Sequence, residues 1–306
     1  MNIRDFMKNN IVYLDGGMGT LLQKSGLQPG ELPERWNISH PEVIREIHKS
    51  YYDSGSNIVN TNTFGANSLK FSPDELDEII CCAVKNADEA RKESSGDQEK
   101  FIALDVGPTG KLLKPLGDLD FEDAVRTFAE TIRLGKKHGV DLITIETMND
   151  SYETKAAVIA AKESCDLPII VTNAYGENGR LMTGADSAVM AAMLEGLCVD
   201  AIGANCSLGP KQLMGVMDEL LKYCSVPVVF KPNAGLPKND GRTTYYDVGA
   251  EEFAEDIKLS VENGVRIVGG CCGTTPEYIK KVCELTCGMR PKEIEKKTYS
   301  VCTSYN

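Results

Sequence analysis

The sequence predicts a single (β/α)8 barrel. Three observations predict it: a strand-then-helix unit that repeats along the chain, eight short apolar runs, and polar, glycine-rich residues gathered just after those runs. At 306 residues the chain could be two ordinary domains or one barrel of this type. The runs are residues 11–14, 58–61, 101–105, 142–147, 169–172, 201–204, 226–230 and 265–269. Each is nearly continuously apolar, as a parallel strand covered on both faces must be.

Taken in order, the first run leads into Asp15-Gly16-Gly17-Met18-Gly19-Thr20. The crossover that follows carries Val43, Ile44, Ile47 and Tyr51 on one helical face, with Pro41 in its first turn and Gly55 near its end. The second run opens Asn60-Thr61-Asn62-Thr63-Phe64-Gly65-Ala66-Asn67. Its helix repeats Leu76, Ile79, Ile80, Ala83, Val84 and Ala87 at three- and four-residue spacing, which makes Cys81 and Cys82 helical and burial their expected role. The third run precedes a helix at 121–137, and the fourth, ending in Glu146-Thr147-Met148, precedes one at 151–163. A helix at 186–197 follows the fifth. The sixth gives Asn205-Cys206-Ser207 and a helix at 210–222. The seventh gives Lys231-Pro232-Asn233-Ala234-Gly235 and a helix at 250–263. The eighth gives Gly269-Gly270-Cys271-Cys272-Gly273-Thr274-Thr275-Pro276 and a helix at 276–286. An open doubly wound sheet usually has fewer strands and a nucleotide-binding glycine loop after the first, and the loop here lacks the third glycine of that fingerprint. The barrel is assigned to residues 1–288, and the charged, then polar, stretch 289–306 to a tail or linker.

Composition narrows the function classes. A hydrophobic share of 42% against 25% charged residues supplies a core, so a folded chain is expected. The net charge of −12 argues against a polyanionic partner, because nucleic-acid binding rests on a basic surface. Met1-Asn2-Ile3-Arg4-Asp5 has no signal core and no apolar run is long enough to span a bilayer, so a cytoplasmic location with no membrane is expected. The cysteine count, eleven, is odd, and thiols in that compartment stay reduced, which points away from a disulfide framework.

In a parallel barrel the residues just after each strand form the active site. Cys206, Cys271 and Cys272 fall there, after the sixth and eighth runs, so their thiolates can converge over the axis. Cysteine is more often a small core residue, but these three sit in polar, glycine-rich loops. Thiolates suit Zn²⁺, and three protein ligands leave one position open for a reacting group. A thiol substrate fits that position, since the metal lowers its pKa without a basic side chain. The histidines, His40, His48 and His138, lie in predicted helices or their flanks, and none is available at a strand end.

The Asp15–Thr20 start, Asn205-Cys206-Ser207 and Gly269-Gly270-Cys271-Cys272-Gly273-Thr274 together resemble the homocysteine S-methyltransferase family across nearly the whole chain. The 60–67 segment looks more like the homocysteine-binding module of cobalamin-dependent methionine synthase than like enzymes using betaine or S-methylmethionine. The resemblance implies zinc on Cys206, Cys271 and Cys272, with L-homocysteine sulfur as a further ligand. Asn233 is the candidate for a replaceable ligand, or else it organises its turn. Asp15 and Glu146 are expected to hold the substrate ammonium. Backbone donors at Gly16, Gly17 and Thr20, where a helix is expected to begin, are expected to take the carboxylate, with Ser207 as another candidate. The expected donor is methylcobalamin or another methylcorrinoid on a separate protein or module, since nothing here resembles a corrin-binding motif. The alternatives are a small donor, betaine or S-methylmethionine, with Phe64, Tyr175 and Tyr245 as aromatic candidates for a quaternary ammonium, and a non-catalytic zinc- or thiol-binding barrel within a corrinoid complex.

Overall fold

Every one of the eight apolar runs becomes a parallel strand of one sheet in the structure, a computed structural model that describes residues 2–239 and 244–301. The strands are β1 (Val12–Tyr13), β2 (Ile58–Asn60), β3 (Phe101–Val106), β4 (Leu142–Met148), β5 (Ile169–Asn173), β6 (Ala201–Asn205) and β7 (Val228–Lys231), with β10 (Ile267–Val268) as the eighth. The hydrogen-bonded order is β1-β10-β7-β6-β5-β4-β3-β2, and a parallel bridge from Leu14 to Ile58 joins the two ends. The sheet is thereby a (β/α)8 barrel, as predicted.

The crossover helices stand where periodicity put them: α4 (Pro41–Asp53), α5 (Pro73–Glu93), α6 (Phe121–His138), α7 (Ser151–Ser164), α8 (Ser187–Gly196), α9 (Pro210–Tyr223), α10 (Ala250–Asn263) and α11 (Pro276–Thr286). Their starts have local causes. Ser72 and Asp186 accept from the amides of Glu75 and Val189, and proline opens α4, α5, α9 and α11.

Three features were not predicted. Helix α1 (Ile3–Asn9) inserts Ile3, Phe6 and Met7 into a cluster with Leu14, Ile58, Phe101, Leu142 and others from the barrel interior. It therefore closes the end of the barrel opposite the loops. Arg4 Nε, 2.6 Å from Asp200 Oδ1, ties it to the start of β6. A short helix α3 (Trp36–Ser39) stands in the first crossover, after helix α2 (Met18–Lys24), which begins at the glycine loop as expected. A two-stranded antiparallel hairpin, β8 (Pro237–Asn239) and β9 (Thr244–Tyr246), follows β7. Residues 289–301 contain no helix or strand and lie along the body, with the Lys297 amide 3.0 Å from Ser225 Oγ and the Tyr299 ring 5.1 Å from that of Tyr223. No helix among the described residues is long and apolar enough to cross a membrane.

Candidate metal and substrate site

Side chains alternate along a strand, so residues two apart share a face. The inward faces at the α1 end carry Ile58, Ala103, Leu142, Ile170 and Val229. Moving by twos toward the loops, the same faces become Asn60, Asp105, Thr144 then Glu146, Thr172 and Lys231, all buried. The barrel interior thus changes from a dry apolar floor to a polar, charged layer below the mouth.

Lys231 is the centre of that layer. Its Nζ stands 2.8 Å from Glu146 Oε2 and 3.5 Å from Asp15 Oδ1. Asn60 completes the frame, donating its backbone N–H to Asp15 Oδ2 at 2.7 Å and its side-chain amide to Glu146 Oε2 at 3.1 Å. Asp105 lies in the same layer and its Oδ1 has no hydrogen-bond partner. Burial works to lower the Lys231 pKa, but the carboxylates Glu146 and Asp15 outweigh it and raise it. Burial lifts the Asp15 carboxyl from 3.8 to about 6, although Lys231 and the Asn60 amide pull the other way.

This shift has a sign. An acid whose folded pKa lies above its unfolded one adds stability that is fully present below pH 3.8 and is lost as pH rises through about 6. At 1.36 kcal/mol per unit, wild type should lose about 3 kcal/mol relative to Asp15→Asn between pH 3 and pH 7. Chemical denaturation of both proteins across that range measures it. A constant difference would show that Asp15 titrates at its ordinary value.

The second half of the site is sulfur. Cys206 Sγ and Cys272 Sγ are 3.9 Å apart, and all three sulfurs of Cys206, Cys271 and Cys272 lie within 4.8 Å of one another. Two sulfurs bound at about 2.3 Å to one tetrahedral Zn²⁺ stand about 3.8 Å apart, so the donor set and its spacing fit that ion. Hydrogen bonds from Cys206 and Cys271, with another from Tyr246, pull the Cys272 thiol down to about 3 against the effect of burial. The Cys271 thiol is pushed well above the usual range by its hydrogen bonds to Cys206 and Cys272 and by burial.

Backbone strain marks this half. Thr147, Cys206 and Ser207 have φ of 60°, 60° and 55°, a left-handed conformation that is costly for side chains with a Cβ and above all for β-branched threonine. Asn205, fully buried at the end of β6, holds the arrangement. Its Oδ1 accepts from the Thr147 amide at 2.8 Å, and its Nδ2 donates to Thr147 Oγ1 at 2.7 Å while lying 3.9 Å from Cys271 Sγ. One side chain thus links the strand end that carries Glu146 to the cysteine cluster. Gly273, at φ 82°, lets the Tyr246 ring approach, since a Cβ there would stand 2.4 Å from it.

A cavity of about 570 Å³ joins the two halves. Asp15, Gly16, Gly17, Thr20 and Glu146 line it, as do all three cysteines. The Gly17 amide already donates to Thr274 Oγ1 at 3.2 Å. Ser207 and Asn233 do not line it: Ser207 Oγ donates to the Tyr175 carbonyl at 2.7 Å, and Asn233 Oδ1 accepts from the Cys272 amide at 3.0 Å. Asn233 thus makes the contact of a turn-organising residue. Of the three aromatic candidates only Phe64 lines the cavity. Tyr175 is fully buried elsewhere, Tyr245 points outward, and its neighbour Tyr246 lines the cavity instead. The histidines stand apart: His40 stacks on Trp36, His48 is buried in α4, and His138 bonds Asp77. The sequence by itself marks no role for Lys231, Asp105, Asn205 or Tyr246. For the first two, a charge in phase with inward apolar residues of a strand is the signal that could have found them.

The family model for homocysteine S-methyltransferase matches residues 12–286. Two curated relatives, both named methionine synthase, come from Mycobacterium leprae (strain TN) and Mycobacterium tuberculosis (strain ATCC 25618 / H37Rv). Each is 29% identical, over 92% and 95% of this chain respectively, and the chain spans 25% and 26% of their lengths. Among solved structures, the homocysteine methyltransferase MmuM from Escherichia coli aligns in its metallated form with a TM-score of 0.78 at 22% identity, covering 92% of this chain and 99% of that one. Its oxidized form gives 0.77 at 22% identity, covering 90% and 95%. At these identities the likeness speaks for the fold.

Proposed function

Because the chain belongs to the homocysteine S-methyltransferase family, we propose that it is a zinc-dependent enzyme that methylates the thiolate of L-homocysteine to give methionine. The observation that carries this reading is the pairing of the two halves of one cavity: three sulfurs at zinc spacing, and beside them buried carboxylates, whose charge suits an amino acid's ammonium. Cys206, Cys271 and Cys272 would hold the ion. Zinc supplies acidity at a bound thiol, so that a thiolate exists at neutral pH.

The chain's own residues do the rest. Asp15 and Glu146, fixed by Lys231 and Asn60, set the charge that orients the amino acid end. The N-terminus of α2 has no side-chain cap, which leaves its first-turn amides for the substrate carboxylate together with Gly16. The substrate sulfur then attacks the methyl carbon in line. The new S–C bond forms as the bond from carbon to the donor breaks, and the donor leaves with that electron pair.

For the donor we favour a methylcorrinoid carried by a separate protein or module. The support is the likeness to one quarter of proteins named methionine synthase. A second reading, a small cationic donor such as betaine or S-methylmethionine, draws on Phe64 and Tyr246 at the cavity. Single-turnover transfer to homocysteine from free methylcobalamin, then from each small donor, separates them. Methionine formed from methylcobalamin is the expected result. Methionine from a small donor alone would replace the corrinoid reading, and no product from any donor despite tight homocysteine binding would favour a non-catalytic barrel.

A further inference from the structure

The cavity is lined by four carboxylates, Asp15, Glu34, Asp105 and Glu146, and among its described lining residues by a single cation, Lys231. Three of the four are already engaged. Asp15 and Glu146 share Lys231 and Asn60, and Glu34 Oε1 accepts from the Gly65 amide at 2.7 Å. Asp105 is only 7% exposed and keeps an unpartnered Oδ1. Full ionisation would leave a strong excess of negative charge in a buried space, which like charges resist. The arriving ammonium of an amino acid is a cation of the right kind to correct that imbalance, and Asp105, which lines the cavity and has hydrogen-bonding capacity unused, is the carboxylate left for it.

Resting on the homocysteine reading above, we propose that Asp105 accepts the substrate's ammonium, and that it holds a proton in the ligand-free protein which it releases to solvent when the ammonium docks. The charged groups facing it are Glu146 from β4, Lys231 from β7, Asp15 after β1 and Glu34 from the turn before α3. Burial first, then Glu146, push its carboxyl well above the usual range, and Lys231 offsets only part of this. Recognition of the substrate class is thereby coupled to a proton. A thiol lacking the amine finds a neutral acid there and gains nothing from it.

The test is titration calorimetry of the zinc-loaded full chain at pH 7.5, in buffers of different ionisation enthalpy, with L-homocysteine and with 4-mercaptobutyrate. The second compound has the same thiol and carboxylate but no amine, so the thiol proton cancels in the comparison. In wild type, homocysteine should release about one proton more than 4-mercaptobutyrate and bind more tightly. Asp105→Asn, a neutral side chain of the same shape, should abolish the excess and weaken homocysteine roughly 30- to 100-fold, with 4-mercaptobutyrate little changed. Equal proton release by the two thiols in wild type would overturn the proposal without using the variant. An excess that persists in the variant would move the proton to another carboxylate and also overturn it. If homocysteine gives no binding heat at all, the thiol-methylation reading fails, and this inference with it.

Discussion

Cys272→Ala is expected to lose both bound zinc, from about one per chain to well below that, and at least about 1,000-fold in methyl transfer, which is about 4 kcal/mol of barrier. The reason lies in the geometry around Cys272. Its sulfur stands 3.9 Å from that of Cys206, and hydrogen bonds from Cys206, Cys271 and Tyr246 pull its pKa down. Removing it takes away the donor on which the other two converge. The remaining pair, Cys206 and Cys271, offers an ion two sulfurs where a catalytic site takes three protein ligands. Metal analysis under reducing conditions, with circular dichroism to confirm the fold, reads the effect apart from catalysis. A variant that kept its zinc and turned over at the wild-type rate would remove the cysteine cluster from the mechanism.

Lys231→Met is expected to cost about 3–5 kcal/mol of stability at neutral pH, the range found when one partner of a buried ion pair is deleted. Methionine fills nearly the same volume, so packing is not the main loss. What remains is Asp15 and Glu146 facing each other in a buried layer without their cation. The loss has a pH sign. Without Lys231, which lowers the Asp15 pKa, that carboxyl rises further above its unfolded value and is easier to keep protonated in the fold. The deficit should therefore shrink as pH falls from 7.5 toward 5. Urea denaturation at both values measures it, and a deficit that widened on acidification would contradict the charge argument.

The fold was legible because its signal is local and repeated. Each strand is a short apolar run, and each helix from α4 onward announces itself by period, proline or cap. The cysteines were legible because their loops follow strands whose polarity a barrel fixes. What escaped depends on contacts between distant parts of the chain. Asn205 does its work on Thr147, 58 positions away, and Lys231 on Glu146, 85 positions away, and neither partner is marked in its neighbour's sequence. Asp105 ends an apolar run in the sequence, and only its phase with Ala103 points it inward. The β8–β9 hairpin escaped because it contains proline and lysine and has no apolar alternation. Tyr245 and Tyr246 are adjacent, and strand alternation, invisible without the hairpin, decides which one faces the sulfurs.

Helix α1 shuts one end of the barrel. With Ile3, Phe6 and Met7 seated among the floor residues, the described residues leave no passage through the barrel, and the cavity opens at the loop end. In the methyl transfer proposed above, thiol, methyl donor and product would share that opening. A donor broad enough to sit across the opening would then have to follow the amino acid, and it would keep the methylated product inside until it withdrew.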